Sequence, residues 1–240
     1  MTGRRIALVG GAGGIGRALA ADLTDLGDEI ITLDLAGSLD RHGVAGGVAI
    51  DVTDEDSVSR AFASLDGPVD GVVNLAGYNS DLTAMAEMGT DYFDDILNAN
   101  LRGAFLVART AISRLAENGS MVNIASGLAS HVRPGYGAYS ASKAAVIAMT
   151  KTMALELAPK VRVNAVAPGL VDTAFLRGGT GRSEEDGESI VDLEAYKAMI
   201  PLARVATPAD VTGPIRFLLG PDSGYMTGQV LWVNGGGYMP

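Results

Sequence analysis

Seven short apolar runs, separated by longer segments with helical periodicity, constrain the fold of this chain more than any other feature. The runs fall at residues 5–9, 29–34, 47–51, 70–74, 120–124, 161–167 and 229–233. Several are almost wholly apolar, which is typical of parallel strands covered on both faces. Helical patterns occupy 15–27, 54–65, 92–117, 139–157 and 208–219. This alternation predicts an α/β fold: a doubly wound, Rossmann-like parallel sheet of about seven strands with helices on both faces.

The organisation of the chain favours a single dinucleotide-binding catalytic domain over residues 1–240, because no linker, composition break or repeat divides it. One segment, at about 174–200, departs from the pattern with the polar run "GGTGRSEEDGESIVD". Its apolar ends flank the expected substrate entrance, so we interpret it as a substrate lid that is mobile at 178–190. Its acids, Glu184, Glu185, Asp186 and Glu188, would disfavour a polyanionic substrate.

Charge and composition exclude several function classes. The formal net charge of −10 argues against nucleic acid and anionic membranes as partners, and no apolar stretch approaches the length of a membrane span. The first residues lack the features of a signal peptide. Without cysteine the chain has neither disulfides nor thiolate metal sites, and we expect no metal. We therefore expect a cytoplasmic protein with a small-molecule substrate.

A glycine-rich turn follows the first predicted strand and opens the first predicted helix. Gly10, Gly14 and Gly16 have the spacing GxxxGxG, which lets backbone approach a pyrophosphate at a helix N-terminus. Asp34 ends the second strand, eighteen residues after Gly16. A carboxylate there can accept hydrogen bonds from both ribose hydroxyls and would repel a 2′-phosphate, so the sequence predicts NAD as the cofactor.

The third and fourth predicted strands end at the same edge of the sheet. Asp51 and Val52 should lie near the adenine, and "NLAG" at 74–77 should border the cofactor crevice. These small and polar residues at strand ends support a nucleotide site along that edge.

Tyr139 and Lys143, in the sequence "YSASK", are four residues apart on a predicted helix. That spacing puts both side chains on one face. A fixed ammonium group beside a phenol favours the phenolate, so we expect Lys143 to lower the pKa of Tyr139 towards the neutral range. Such a tyrosine could act as a general acid or base.

The chain resembles the short-chain dehydrogenase/reductase family over essentially its whole length. The resemblance rests on "GGAGGIG", Asp34, "DVTD", "NLAG", "NANLRG", "NIASG", "YSASK", "NAVAPGLVDT" and "YMTGQVLWVNGG". It implies that Ser126 holds the substrate oxygen, Tyr139 transfers the proton, Lys143 binds the nicotinamide ribose, and Asn100 belongs to a proton relay. Leu75 departs from the family, which has a second Asn there.

The remaining expected contacts follow from the strand ends and from the resemblance. The expected cofactor contacts are Gly10, Gly14, Ile15, Gly16, Asp34, Asp51, Val52, Asn74, Ala76, Gly77, Tyr139, Lys143, Pro168, Gly169, Val171 and Thr173. The expected substrate pocket comprises Tyr78, Asn79, Leu128, Tyr136, Leu170, Phe175 and Leu176. His131 should edge this pocket without a catalytic role, because Tyr139 already supplies the acid or base.

Three functions stay open at this point. The first is an NAD-dependent dehydrogenase of a secondary alcohol, or the reverse reduction of a ketone. The second is a 3-oxoacyl thioester reductase, an activity that usually goes with NADPH and with basic patches on the surface. Asp34 argues against NADPH, and the acidic net charge argues against basic patches. The third is an NAD-binding scaffold or redox sensor, which should have lost Ser126, Tyr139 or Lys143. The resemblance also implies a homo-oligomer, a tetramer or dimer, formed by helices 92–117 and 139–157.

Overall fold

The predicted strands form one parallel sheet in a computed structural model of the protein, which describes residues 3–179, 181, 183, 185, 187–189 and 191–239. Its strands are β1 (Arg5–Val9), β2 (Glu29–Asp34), β3 (Val48–Ala49), β4 (Val69–Asn74), β5 (Leu115–Ile124), β6 (Val161–Pro168) and β7 (Val230–Val233). They lie in the order β3-β2-β1-β4-β5-β6-β7, and every neighbouring pair is parallel. The predicted fold class is confirmed.

Helices cover both faces of this sheet. They are α1 (Gly14–Asp25), α2 (Ala36–Arg41), α3 (Glu55–Ala63), α4 (Thr90–Leu97), α5 (Gly103–Ile112), α6 (Gly137–Leu157), α7 (Leu193–Met199) and α8 (Pro208–Leu219). Side chains alternate along β1, so Ile6 and Leu8 pack in a cluster with α1 and α8. Ala7 and Val9 face the opposite cluster, which α3, α5 and α6 cover. Among the described residues, no helix combines the length and the apolar character that crossing a bilayer requires.

The strand order reverses at β1, and this reversal positions the site. The chain passes from β1 to β2 and β3 on one side, then returns to β4 on the other side. Val9 at the end of β1 is therefore paired with Leu33 of β2 and with Asn74 of β4. A crevice outside the carboxyl ends of the strands, at such a switch point, is where open α/β sheets bind ligands.

Two strands, β3 and β5, differ from the prediction by more than one residue at an end. β3 is limited to Val48–Ala49, and as an edge strand it has a single neighbour, β2. A turn follows it, because the Asp51 carboxylate accepts hydrogen bonds from the backbone N–H of Thr53 at 2.9 Å and from its hydroxyl at 2.7 Å. β5 begins at Leu115 rather than at residue 120, since Leu115 already pairs with Val69. There, strand pairing overrides the helical propensity of the local sequence.

The helix predicted over 92–117 is also interrupted. α4 and α5 are joined by a π-helical turn, Asn98–Arg102, and the chain leaves the helix after Ile112. Periodicity alone did not indicate this turn, because apolar residues recur on both sides of it in the sequence. π-turns of this kind often occur at functional sites.

Candidate active site

A cleft of about 510 Å³ opens along the carboxyl edge of the sheet. It runs from the glycine-rich turn and Asp34, at the ends of β1 and β2, to the segments that follow β5 and β6. Its volume falls within the range of roughly 300–1,000 Å³ that is usual for ligand pockets.

The glycine-rich turn lets the backbone form one wall of this cleft. Gly10 has a φ of 80°, in the left-handed region, while its N–H donates to the Leu33 carbonyl at 2.8 Å. A Cβ at Gly16 would lie 2.5 Å from the Gly11 carbonyl oxygen, and one at Gly14 would lie 2.8 Å from Cγ2 of Thr173. These glycines therefore leave the first N–H groups of α1 accessible, where an anionic group is favourable.

Asp34 is held with its carboxylate at the cleft wall. Its Oδ2 accepts a hydrogen bond from the Ala12 N–H at 2.9 Å, and its Oδ1 accepts one from the Leu35 N–H at 2.8 Å. Burial raises the pKa of this carboxyl, and the backbone hydrogen bonds oppose that effect. Among the described residues that line the cleft, the lysine is Lys143 and the arginine is Arg133. Both come from the chain between β5 and the end of α6. Two arginines lie near the Asp34 end without lining the described cleft: Arg17 donates to the Ala12 carbonyl at 2.5 Å, and Arg41 lies beside Glu185.

The described part of the polar segment after residue 177 reaches the Asp34 end. Glu185 lies 3.4 Å from the Arg41 guanidinium and 3.2 Å from Nε2 of His42, and with Gly181 it lines the cleft. Glu184 and Asp186, two of the acids predicted to repel polyanions, lie outside the described residues. Residues on either side, Leu176 and Val191, line the cleft as well. A lid function and the mobility of this segment stay predictions.

The other end of the cleft brings Ser126, Tyr139 and Lys143 together. One helical turn of α6 separates Tyr139 from Lys143, and the Lys143 Nζ lies 5.7 Å from the centre of the Tyr139 ring. The ammonium group donates to the Ile124 carbonyl at 3.0 Å, which ties it to the end of β5. The Ser126 hydroxyl accepts a hydrogen bond from the Leu128 N–H at 3.1 Å. It also forms a hydrogen bond with the side chain of Tyr139. The predicted cluster of three therefore forms.

The ionisation of this cluster differs from the expectation. Burial raises the pKa of Tyr139 to about 12, and the hydrogen bond with Ser126 only partly opposes it. Burial also lowers the pKa of Lys143 to about 8. The predicted lowering of the pKa of Tyr139 by Lys143 is thus wrong for the chain by itself: burial is the largest influence, and the group that lowers the pKa is the Ser126 hydroxyl rather than the ammonium group.

Asn100 lies behind the cleft wall, in the π-turn between α4 and α5. It is fully buried; its Nδ2 donates to the Tyr78 carbonyl at 2.7 Å and its Oδ1 accepts from the Tyr78 N–H at 2.8 Å. The amide therefore fixes the backbone of Gly77 and Tyr78, which do line the cleft. A part in proton relay stays a prediction.

Most of the other predicted residues line the cleft. They are Gly10, Gly14, Ile15, Gly16, Asp34, Asp51, Val52, Ala76, Gly77, Tyr78, Leu128, His131, Tyr136, Pro168, Gly169, Leu170, Val171, Thr173, Phe175 and Leu176. Asn74 and Asn79 are buried and are not among the described residues that line the cleft. The Oδ1 of Asn74 accepts from the Ala76 N–H at 3.2 Å, so it shapes the turn after β4.

Several lining residues were not predicted. Tyr196, Met199 and Ile200 come from the α7 region, while Asn234 and Tyr238 come from the tail after β7. The helical pattern near residue 196 was visible in the sequence, but nothing in it indicated which face meets the cleft. The tail carries no periodicity at all, and its path depends on the glycines that follow Asn234.

Comparisons with known proteins find relatives over nearly the whole chain. A family model described as enoyl-(acyl carrier protein) reductase matches residues 10–238. A 3-oxoacyl-[acyl-carrier-protein] reductase of Mycobacterium tuberculosis is 37% identical over 239 residues, which cover 97% of this chain and 92% of that relative. One from Aquifex aeolicus is 34% identical over 252 residues, covering 98% of each chain.

Solved structures match the fold of this chain as well. A short-chain dehydrogenase/reductase of Brucella melitensis, described as a glucose/ribitol dehydrogenase, has a TM-score of 0.88 at 29% identity and covers 99% of this chain and 97% of its own. The aldohexose dehydrogenase of Thermoplasma acidophilum has a TM-score of 0.84 at 29% identity, with coverage of 98% and 93%. The resemblance drawn from the motifs is confirmed: this chain belongs to the short-chain dehydrogenase/reductase family and is an oxidoreductase of that family.

Proposed function

We propose that this enzyme transfers a hydride between NAD(H) and a secondary alcohol or the corresponding ketone, with Tyr139 as the general acid or base. The observation that carries the proposal is one cleft with Ser126, Tyr139 and Lys143 at one end and Asp34 at the other. A bound nicotinamide cofactor would supply or accept the hydride. The side chains of the protein would hold the substrate oxygen and move its proton.

The wall near α1 fits a dinucleotide. The space beside Gly14 and Gly16 has no room for a Cβ, and the turn exposes backbone N–H groups at the start of a helix. Thr173, which packs against Gly14, would hold the phosphate or carboxamide side of the cofactor. Lys143 would reach the nicotinamide ribose. These assignments extend the motifs of the family to the residues that line this cleft.

Asp34 supports NAD rather than NADP. Its carboxylate is fixed by two backbone hydrogen bonds and could accept both ribose hydroxyls. A 2′-phosphate in the same position would meet this negative charge, while the nearest arginines that the structure describes, Arg17 and Arg41, do not line the cleft. Two opposed unit charges about 4 Å apart interact with roughly 4 kcal/mol near a protein surface, and like charges repel to the same extent.

Tyr139 would transfer the proton at the substrate oxygen. With a pKa of about 12 in the protein alone, its phenol is protonated at neutral pH. In ketone reduction the phenol O–H would give its proton to the carbonyl oxygen while the carbonyl carbon gains the hydride, and alcohol oxidation runs these steps in reverse. Ser126 would hold that oxygen. At neutral pH the phenol is therefore in the protonated form that ketone reduction requires.

The experiment that tests the proposal compares kcat/KM for NADH and NADPH with a panel of ketones. We expect at least about a tenfold preference for NADH, as the repulsion at Asp34 requires. Asp34→Asn combined with Leu35→Arg should narrow or reverse the preference. Asp25→Asn, at an exposed position near the end of α1, is the matched control and should leave it unchanged. Equal kcat/KM for the two cofactors in the unmodified enzyme would overturn the NAD assignment.

Reduction of a 3-oxoacyl thioester is the second candidate. The names of the Mycobacterium tuberculosis and Aquifex aeolicus relatives and the description of the family model favour it. Both candidates use the same proton transfer, so Tyr139 does not separate them. Acetoacetyl thioesters in the same panel distinguish the two, because a kcat/KM for them well above that of every simple ketone would select this candidate.

The other parts of the proposal concern the surroundings of the enzyme. We propose a small-molecule alcohol or ketone as its partner, and neither nucleic acid nor membrane, in keeping with the net charge of −10. We also propose a cytoplasmic location and a homo-oligomer, a tetramer or dimer. Exposed apolar side chains on the two helices expected to associate, Phe105 of α5 and Leu155 of α6, support the oligomer.

A further inference from the structure

The tail after β7 folds back over the substrate end of the cleft. Gly235 and Gly236 have φ values of 63° and 83°, which glycine adopts without strain. The Asn234 side chain fixes this turn: its Oδ1 accepts from the Gly236 N–H at 3.0 Å and its Nδ2 donates to the Tyr238 carbonyl at 2.9 Å. Tyr238 therefore has a defined position rather than that of a frayed terminus.

The ring of Tyr238 is held between other rings. It stacks on His131 with ring centres 5.1 Å apart and an angle of 4°, and it meets the edge of Trp232 at 5.4 Å. Its hydroxyl oxygen lies so close to Gly127 that a Cβ there would be 3.1 Å from it. Because Gly127 directly follows Ser126, the hydroxyl lies beside the residue that we propose holds the reacting oxygen.

The Tyr238 hydroxyl can donate a hydrogen bond, but no acceptor among the described residues receives it. Its oxygen is buried, and it has no hydrogen-bond partner among the described residues. The Asn234 side chain lies near enough to affect its pKa, but the two groups make no hydrogen bond of ordinary geometry, and burial raises the pKa of Tyr238 to about 12. The hydroxyl therefore keeps its proton at neutral pH. Because the ring lines the cleft but its oxygen is covered, a substrate can reach this oxygen only if the ring turns towards the cleft. A buried hydroxyl without a partner destabilises a protein, which makes such a turn towards an acceptor on a ligand favourable.

We infer that Tyr238 is a specificity-determining residue whose hydroxyl donates a hydrogen bond to a second oxygen of the substrate, close to the reacting carbon. The inference rests on the proposed function and narrows its substrate class to oxygenated ketones and alcohols. That second oxygen is a hydroxyl in a hydroxyketone and the thioester carbonyl in a 3-oxoacyl thioester. His131 acts as a positioning residue, since its ring supports that of Tyr238.

The test compares Tyr238→Phe with the unmodified enzyme on two matched substrate pairs. One pair is 3-hydroxy-2-butanone and 2-butanone, which differ by the hydroxyl. The other is an S-acetoacetyl thioester and the thioether with a methylene in place of the thioester carbonyl. Tyr225→Phe, at a fully exposed tyrosine, is the control and should change neither pair.

We expect Tyr238→Phe to lower kcat/KM for the oxygenated member of one pair by about threefold to tenfold, the effect of one hydrogen bond, and to leave its partner unchanged. The pair that responds identifies the source of the second oxygen. An equal loss on both members of each pair, or no loss on any, would overturn the inference while the proposed function stands. An unmodified enzyme that reduces no member of either pair and no ketone of the wider panel would overturn both.

Thermal unfolding without substrate gives an independent readout. Removal of a buried hydroxyl that lacks a partner should leave the Tm of Tyr238→Phe equal to or above that of the unmodified enzyme. A lower Tm would assign the hydroxyl a structural role and overturn the inference.

Discussion

The buried ammonium group of Lys143 makes the stability of this enzyme depend on pH in a calculable way. Burial lowers the pKa of Lys143 from 10.5 to about 8. Below about pH 8 the lysine is protonated in both the folded and the unfolded chain, and the buried charge destabilises the fold in full. Between about pH 8 and 10.5 the folded chain releases the proton while the unfolded chain keeps it. The free energy of unfolding must therefore rise with pH in that window.

The magnitude follows from the separation of the two pKa values, about 2.5 pH units, which corresponds to about 3 kcal/mol. Tyr139 limits the usable range, because burial raises its pKa from 10.0 to about 12 and so makes the free energy of unfolding fall above pH 10. From pH 7.5 to pH 10 we expect Lys143 to contribute an increase of about 2–3 kcal/mol.

Urea unfolding, followed by the fluorescence of Trp232, the one tryptophan in the sequence, measures this effect at fixed protein concentration. Lys143→Met keeps the length of the side chain and removes the charge, so its free energy of unfolding should lack the rise. Lys151→Met, at an exposed lysine on the same helix, should retain it. Parallel pH curves for the unmodified enzyme and Lys143→Met would refute the reasoning, because the lysine would then titrate alike in both states.

Three further predictions concern the cofactor wall, the proton and the assembly. Gly14→Ala should weaken NADH binding at least about tenfold, because its Cβ would lie 2.8 Å from Cγ2 of Thr173; calorimetric titration checks this. The kcat/KM for alcohol oxidation should rise with pH from 7 to 10 while that for ketone reduction does not, since Tyr139 is protonated at neutral pH; an oxidation rate independent of pH would contradict this. Light scattering at micromolar concentration should show a tetramer or dimer, and a monomer alone would contradict the oligomer.

The sequence was sufficient for the features that repeat along the chain. Alternating strands and helices predicted the sheet, and the positions of Asp34 and Gly77 at strand ends predicted their meeting at one edge. The spacing of Tyr139 and Lys143 predicted a shared helix face, and the two side chains are neighbours. Each of these follows from a short-range rule, the period of a strand or helix, combined with the geometry of a parallel sheet.

The features that the sequence did not predict depend on long-range packing. The pKa of Tyr139 is set by how deeply the ring is buried, and burial comes from elements far along the chain. Asn100, in the π-turn, bonds the backbone of Tyr78, a contact between distant parts of the chain that the local sequence does not indicate. Tyr238 reaches the cleft only because glycines turn the tail back, and no local pattern indicates where that turn leads.

The central claim is that Tyr139 transfers the proton that accompanies hydride transfer in this cleft. The most direct test measures Tyr139→Phe in two assays, NADH binding and turnover of the best ketone in the panel. Loss of the phenolic oxygen alone should leave the dissociation constant for NADH within about threefold and lower kcat by at least about 100-fold. A Tyr139→Phe enzyme that binds NADH and turns over at a rate close to that of the unmodified enzyme would contradict the claim.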